Sequence, residues 1–239
     1  MTKAEENVHV YDANLDGGSA LQDFFEGDSL TVATRFFRNK VFFQQLEEVV
    51  IPQLLQGGLA HRKVVHIWSA GCSDGRETYS LAVAVRRILD QLGHKRIQLQ
   101  LRGSDLSRPQ LDRARKGVYR VGPSDNGVFR PYSDFFTQLS PALWEVKDSI
   151  RRLVEFVDED IAKVVPDEPY DLLVCSLVLL YYEPNYQKEI LLHLLTTLRV
   201  DGFFYVAPVS SRWMRTQGFK PVVNGMNLYH RDQAISSAE

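Results

Sequence analysis

Cysteine, long apolar stretches and any large excess of charge are all scarce in this sequence. Its 239 residues include two cysteines, Cys72 and Cys175, which argues against a disulfide framework or a cysteine-based metal cluster and suits a reducing compartment. The longest uncharged apolar run, residues 172–182, has 11 residues, whereas a membrane-spanning helix needs about 20. The N-terminal residues lack the basic and apolar regions of a signal peptide. We therefore expect a cytoplasmic protein that does not insert into a membrane.

The charges of the chain nearly cancel, which narrows the classes of partner. The net charge is −2 at pH 7, so no overall positive field attracts nucleic acid or an anionic membrane surface. Residues 1–30 hold seven acids and one lysine, and they predict an acidic, flexible N-terminal segment. The remaining residues, 31–239, are enough for one large domain, and with 44% of the chain hydrophobic a sizeable core is expected.

Strand and helix patterns alternate along the chain. β-branched or alternating runs predict strands at residues 64–68, 97–105, 153–157, 170–178 and 203–207. Apolar stripes at helical spacing predict helices at 41–55, at 81–92, after Ser107, and from Pro184 to a stop at Gly202. The Asn224-Gly225 dipeptide predicts a closing hairpin of residues 219–223 and 226–230. This order predicts an α/β fold with a doubly wound, mostly parallel sheet and an antiparallel C-terminal edge, which binds ligands at the carboxyl ends of its strands.

A glycine-containing loop, residues 69–75, joins the first strand to its helix. Gly71 and Gly75 permit a tight turn with the helix N-terminus behind it. The middle glycine of G-x-G-x-x-G is missing, which argues against a bound pyrophosphate. The loop also matches G-x-S-x-G, the nucleophile elbow of α/β-hydrolases. That alternative is weaker, because few elements precede the loop and the late histidine, His230, lies in a strand pattern.

Two acids follow predicted strands. Asp105 ends the second strand, where an acid in doubly wound folds binds the ribose hydroxyls of a cofactor. A helix-capping role for Asp105 is less expected, because Ser107 is placed to cap the next helix. Asp160 follows the third strand and is placed to accept a hydrogen bond from an adenine amino group. A loop and two acids without a phosphate fingerprint suggest S-adenosylmethionine as the cofactor.

Several stretches carry a resemblance to a known family: residues 34–38 (Thr-Arg-Phe-Phe-Arg), 67–82, 104–107, 114–119 and 170–175. In order and spacing, from about residue 29 to 231, the chain resembles the CheR-type chemotaxis receptor methyltransferases. The combination of T-x-F-F-R with W-S-A-G-C-S-x-G is specific for that family. The resemblance implies the class I S-adenosylmethionine-dependent methyltransferase fold. It also implies a small inserted subdomain at about 118–152, which in some members docks a receptor's C-terminal peptide.

The resemblance further implies transfer of a methyl group to glutamate side chains of a chemoreceptor's cytoplasmic helical bundle. By the family pattern, Thr34 and Arg38 reach the cofactor, and Arg38 lies near its carboxylate. Glu77 lies near the sulfonium end, Asp105 holds the ribose, and Asp160 with Ile161 borders the adenine. The full set of cofactor-binding residues that we expect is Thr34, Arg38, Ala70, Gly71, Gly75, Glu77, Asp105, Asp160, Ile161, Ser176 and Leu177.

The sequence departs from the family pattern at several positions. Arg76 and Thr78 replace an acid and a proline, Ser176 and Leu177 replace an Arg-Asn pair, and Asp160 replaces an asparagine. From the few residues that precede T-x-F-F-R here, we expect most of the family's N-terminal helical domain to be missing. An alternative is therefore a catalytically degenerate module that binds S-adenosylmethionine or S-adenosylhomocysteine and regulates a signalling partner.

The expected reaction needs no acid or base from the protein. A glutamate has an unperturbed pKa of about 4.3, so the acceptor is already an ionised nucleophile at neutral pH. We expect Tyr181 to line the acceptor channel. Arg113 and Lys116 belong to a basic stretch, residues 95–120, that is expected to steer an acidic helical protein substrate.

Overall fold

Two β-sheets organise the chain in a computed structural model that describes residues 34–122, 126–207, 209, 211–223 and 226–231. The predicted acidic segment, residues 1–30, lies outside the described residues. The larger sheet contains β1 (Val64–Ala70), β2 (Gln98–Asp105), β6 (Val154–Asp158), β7 (Tyr170–Ser176), β8 (Leu198–Ala207), β9 (Phe219–Pro221) and β10 (Leu228–Arg231). The smaller sheet contains β3 (Val118–Arg120), β4 (Phe136–Ser140) and β5 (Leu143–Val146).

The larger sheet confirms the predicted fold class. Its strand order is β6-β2-β1-β7-β8-β10-β9, and the pairs from β6 to β8 are parallel. β10 runs antiparallel to both β8 and β9, as expected for the closing hairpin. Because the chain winds outward from β1 in both directions, the carboxyl ends of β1 and its neighbours β2 and β7 meet at one edge.

Helices connect the parallel strands. An interrupted helical segment precedes β1, and its α-helical parts are α1 (Lys40–Gln45), α2 (Ile51–Leu54) and α3 (Ala60–Arg62). The further helices are α4 (Arg76–Gln91), α5 (Arg108–Lys116), α6 (Asn126–Phe129), α7 (Asp148–Arg151), α8 (Pro184–Thr196) and α9 (Ser211–Thr216). Two short 3-10 helices lie at Arg130–Phe135 and Val178–Tyr181. Among the described residues, no helix combines the length and apolarity needed to cross a membrane.

The first helical segment is longer and less regular than the sequence predicts. Its α-helical parts are separated by a π-helical turn at Leu46–Val50 and by a kink within Leu55–Leu59, where Gly58 has a φ of 102°. Pro52 lies inside this segment and has no N–H to donate to the preceding turn, which accounts for an irregular ladder there. The segment still buries the predicted apolar stripe, including Phe42, Leu46 and Val50.

The prediction that Gly202 ends a helix is wrong. Helix α8 ends six residues earlier in the chain, at Thr196, and Gly202 lies inside β8. The pairing of β7 with β8 shifts register between Tyr170 and Leu172, and a Cβ on Gly202 would come within 2.8 Å of the Arg199 carbonyl oxygen. The glycine therefore permits a close backbone approach at an irregular strand position.

The smaller sheet encloses an aromatic cluster. Its antiparallel order is β3-β5-β4, within the stretch predicted as an inserted subdomain. The ring of Phe36 packs edge-on against Tyr119, Phe129 and Phe136 at centroid distances of 5.0, 5.7 and 5.2 Å. Phe36 lies just before the first helix, so the segment that leads into this helix also completes the aromatic cluster of the smaller sheet.

Candidate functional site

A cavity of about 530 Å³ lies at the carboxyl ends of the central strands. It has the volume typical of a small-molecule site. Nine of the residues predicted to bind cofactor or substrate line it: Thr34, Arg38, Gly71, Glu77, Asp105, Ile161, Ser176, Leu177 and Tyr181. They come from parts of the chain that are up to about 150 residues apart in sequence, and the winding of the sheet brings them together.

The two loop glycines serve internal packing as well as the turn. Both have positive φ, 74° at Gly71 and 84° at Gly75. A Cβ on Gly71 would come within 2.3 Å of the Val178 side chain, and one on Gly75 would come within 2.8 Å of Ala114 and Phe156. Gly75 does not line the cavity. At this position glycine is required because neighbouring side chains of the protein leave no room for a Cβ.

Asp105 ties the loop to the end of β2. Its Oδ2 accepts a hydrogen bond from the Ser73 N–H at 2.8 Å, and its Oδ1 accepts one from the Ser107 N–H at 2.9 Å. Ser107 occupies the N-cap position of α5, but its side chain makes no capping hydrogen bond, so the expected cap is not formed by its hydroxyl. Each carboxylate oxygen can accept a second bond, which leaves Asp105 able to bind hydroxyl donors in the cavity.

Glu77 presents a second carboxylate to the cavity from the first turn of α4. The Ser69 hydroxyl donates to its Oε1 at 2.9 Å. Burial raises the pKa of Glu77 to about 7, and the Ser69 hydrogen bond and the nearby Arg38 charge oppose that rise. Near neutral pH this carboxyl therefore holds a proton in part of the molecules, and a cationic ligand group would favour its ionised form.

Asp160, Ala70 and Gly75 do not line the cavity. The Oδ1 of Asp160 accepts the Ala162 N–H at 3.0 Å, and its Oδ2 lies 2.9 Å from Lys163 Nζ. These local partners hold the carboxylate in its own turn, whereas the next residue, Ile161, does reach the cavity wall. The predicted contact between Asp160 and an adenine amino group stays a prediction.

Ser176 and Leu177 end β7 beside the loop. The backbone of Leu177 is left-handed, with φ 62°, and its N–H donates to the Ala207 carbonyl at 2.8 Å. A branched apolar side chain is uncommon in that conformation, which costs about 1 kcal/mol. Phe37 and Ser73 are also left-handed and also line the cavity. Backbone strain is thus concentrated around this site.

Sequence reasoning missed several cavity residues. Phe37 lies in the T-x-F-F-R match, but its place in the wall depends on how that segment folds back. Tyr205 lies within the apolar β8, and its hydroxyl accepts a hydrogen bond from Asn39 Nδ2 at 3.0 Å. In the sequence, Tyr205 stands out only because it carries a hydroxyl within an apolar run, and this does not show which way the hydroxyl points.

The hydrolase alternative finds no support in the cavity. Ser73 lines it, but none of the described cavity residues is a histidine. His230 lies on β10 and packs against Phe203 at a centroid distance of 4.6 Å. Cys72 also lines the cavity, but burial raises the pKa of its thiol and disfavours a thiolate. Within the described residues, no His, Cys, Asp and Glu side chains are grouped to hold a metal ion.

The basic residues of α5 lie outside the cavity. Arg113 and Lys116 are exposed. Arg108 pairs with Asp158, and Arg115 donates to the Phe156 carbonyl, so part of the basic stretch already has partners in the protein. Tyr181 lines the cavity and is 57% exposed, which places it at the opening.

Comparison with known proteins matches this arrangement to one family. The family model described as the CheR methyltransferase SAM-binding domain matches residues 32–212. Chemotaxis protein methyltransferase 1 of Pseudomonas aeruginosa is 30% identical over 75% of this chain. Chemotaxis protein methyltransferase Cher2 of Pseudomonas putida is 29% identical over 75% of the chain. The chain spans 66% of the length of each of these relatives.

Proposed function

Because the chain belongs to the CheR methyltransferase family, we propose that it transfers a methyl group from S-adenosylmethionine to glutamate side chains of a chemoreceptor. One observation carries this proposal. Residues from the separate family-matching stretches, Thr34, Arg38, Glu77 and Asp105, line a single cavity at the carboxyl ends of the strands. A cavity of that composition suits a cofactor with a zwitterionic amino acid end and a ribose.

The donor and acceptor groups of the cavity fit S-adenosylmethionine. Asp105 offers acceptor positions for the two ribose hydroxyls, and Glu77 offers a carboxylate to an ammonium group. Arg38 offers a guanidinium to a carboxylate, and Ile161 gives an apolar wall for a base. The bound cofactor would supply an electrophilic methyl group on a sulfonium.

The protein's part in the reaction is positioning and exclusion of water. The acceptor carboxylate is ionised at neutral pH and needs no base. Leu177 and Tyr182 present apolar surface beside the polar groups, and Tyr181 at the opening is placed to contact an incoming side chain. Holding the acceptor oxygen in line with the methyl group makes the transfer effectively unimolecular, which lowers the barrier of the reaction.

A second candidate function is a regulatory module that binds the cofactor without transferring its methyl group. Ser176 and Leu177 favour it, because they line the cavity where the family has a more polar Arg-Asn pair. The strained Leu177 contributes an apolar side chain that cannot hydrogen-bond a cofactor or an acceptor.

Transfer of label separates the two functions. The full chain is incubated with S-adenosylmethionine labelled in the methyl group and with cytoplasmic fragments of chemoreceptors. We expect protein-bound label that is released as methanol in mild base, since a glutamyl methyl ester hydrolyses and an N-methyl group does not. Calorimetry with S-adenosylhomocysteine is run in parallel. Binding without label transfer supports the module, and absence of binding contradicts both functions.

The exposed basic residues of α5 suit an acidic helical substrate, which deepens the same proposal. Reversing Arg113 and Lys116 to glutamate should slow association with receptor fragments about fivefold at low salt, because charge steering acts on the association rate. The effect should shrink at 0.5 M salt, where screening is strong. Stopped-flow association measures both. An unchanged rate at low salt would show that these charges are only solvated surface.

A further inference from the structure

Arg76 stands at the start of α4, directly before Glu77, and its guanidinium contacts Thr34 in the chain that precedes the first helix. It is one of the departures from the family pattern, and the cavity residues do not include it. We propose that Arg76 is a positioning residue that holds residues 34–38, the aromatic segment, in place against the cofactor cavity. This inference rests on the proposed function for its link to cofactor binding.

The guanidinium of Arg76 connects three parts of the protein. Its Nη1 donates to the Thr34 carbonyl oxygen at 2.8 Å. The same nitrogen lies 3.2 Å from Oδ2 of Asp74 in the glycine loop. The guanidinium carbon lies 5.2 Å from the centre of the Tyr119 ring on β3. A single side chain, 24% exposed, thus joins the aromatic segment, the loop and the smaller sheet.

The backbone of Arg76 reaches the same segment by a second route. The Ser80 hydroxyl donates to the Arg76 carbonyl at 2.7 Å and accepts from the Phe37 N–H at 3.0 Å. Phe37 is 1% exposed and has a left-handed backbone, so this buried N–H needs a partner in that conformation. The two routes hold the segment at Thr34 and at Phe37.

These contacts require a long side chain at position 76 that can donate a hydrogen bond to the Thr34 carbonyl. An acidic side chain at position 76, as in the family pattern, cannot donate to the Thr34 carbonyl and would face the Asp74 carboxylate. Burial raises the pKa of Asp74, and the charge of Arg76 opposes that rise. The Tyr119 hydroxyl donates to the Asp74 carbonyl at 2.7 Å, which braces the loop from the other side.

Displacement of the aromatic segment would reach the cavity directly. Thr34 and Arg38, its first and last residues, both line the cavity. Arg38 is exposed at the surface and has no buried packing of its own, whereas Phe36 and Phe37 anchor the middle of the segment. The aromatic rings fix where the segment lies, and Arg76 fixes the end that carries Thr34.

The test compares variants of two arginines on one helix. Arg86, also on α4, binds the Ile97 carbonyl at 2.8 Å and pairs with Asp90 at 2.8 Å, but it lies outside the cavity residues. We expect Arg76→Gln to weaken S-adenosylhomocysteine binding about tenfold in calorimetry and Arg86→Gln to change it less than about twofold. Arg76→Lys keeps the charge and one donor and should recover binding to within about threefold of the unsubstituted protein.

Limited trypsin digestion gives a readout that needs no cofactor. In the unsubstituted protein the bonds after Arg35 and Arg38 flank buried phenylalanines, and Arg76→Gln should speed cleavage there about fivefold by loosening the segment. Cleavage is located by mass spectrometry. Equal loss of affinity in Arg76→Gln and Arg86→Gln, or unchanged cleavage with unchanged affinity, overturns the inference. If the unsubstituted chain binds no cofactor, the proposed function fails, and the cleavage comparison still decides the role of Arg76.

Discussion

Carboxylates lie at both ends of the parallel sheet, and their partners differ between the two ends. At the amino end, Asp171 on β7 is fully buried; its Oδ2 accepts the His66 N–H, and its Oδ1 lies 2.8 Å from Arg62 and 3.2 Å from Arg199. At the carboxyl end, Glu77 has one neutral hydrogen bond, and Asp105 has two backbone N–H donors. Neither of these carboxylates has an arginine within ion-pairing distance in the described structure.

This difference in partners distinguishes Asp171, whose charge is structural, from Glu77 and Asp105, whose charges we assign to ligand binding. Two arginine charges neutralise Asp171 and one backbone N–H donates to it, and this carboxylate does not line the cavity. Glu77 and Asp105 keep acceptor capacity toward an open cavity, which is unfavourable in the absence of a ligand and useful in its presence. We infer that the amino end secures the fold and the carboxyl end retains unsatisfied polar groups for binding.

The largest expected effect is at the amino end. Asp171→Asn leaves Arg62 and Arg199 without their shared negative partner and should lower the free energy of unfolding by about 3 kcal/mol. The matched control is Asp112→Asn, which breaks the exposed pair with Arg115 and should cost less than about 0.5 kcal/mol. Urea denaturation measures both. Similar small losses for the two variants would contradict a structural role for Asp171.

The next effect concerns cofactor affinity at the carboxyl end. Asp105→Asn should weaken S-adenosylhomocysteine binding about thirtyfold, since a hydrogen bond to a charged acceptor contributes about 2 kcal/mol. Asp160→Asn changes the carboxylate that follows the neighbouring strand but lies outside the cavity, and it should change affinity less than about threefold. Calorimetry on both variants sharpens the comparison. A larger loss for Asp160→Asn would reverse the assignment of the two acids.

Glu77 gives a pH-dependent effect of intermediate size. Its pKa rises from 4.5 in the unfolded chain to about 7 in the folded protein, so the folded state holds a proton that the unfolded state releases between these values. Stability contributed by this group therefore falls as pH rises from about 5 to 8, by about 2 to 3 kcal/mol. Glu77→Gln should remove that fall while weakening cofactor binding.

Denaturation of the unsubstituted protein and of Glu77→Gln at pH 5, 6.5 and 8 checks this prediction. The remaining titrating groups are common to both proteins, so the difference between the two curves isolates Glu77. Parallel curves would show that this carboxyl titrates alike in the folded and unfolded states. A difference of the opposite sign would show that the ionised form is the one that the folded protein stabilises.

The smallest expected effect tests strain around the cavity. Leu177→Asn should raise the free energy of unfolding by about 0.5 kcal/mol, because asparagine tolerates a left-handed backbone, and should alter cofactor affinity. Lys63→Asn is the matched control, since Lys63 is left-handed but exposed and distant from the cavity residues. It should change stability similarly and leave affinity unchanged. Destabilisation by Leu177→Asn would show that packing of the leucine outweighs its strain.

Much of the fold followed from local pattern. The runs at residues 64–68 and 170–178 predicted strands because a strand buried on both faces needs nearly continuous apolar residues. The alternation of these runs with helical stripes predicted the parallel sheet, and the acid at the end of β2 predicted a polar group beside the cavity. Gly202 was assigned wrongly because a glycine after a helical stripe looks the same whether it ends a helix or permits a strand irregularity.

The amino-acid sequence by itself determined which elements form and which residue types stand at strand ends, since both depend on neighbours a few positions away. Only the tertiary structure decided which of those side chains face a common space. Asp105 and Ile161 reach the cavity while Asp160 turns to Lys163, and Arg76 bonds to Thr34 across 42 positions. Such contacts depend on how distant segments pack, because hydrogen bonds and burial act over a few ångströms in space and not along the chain.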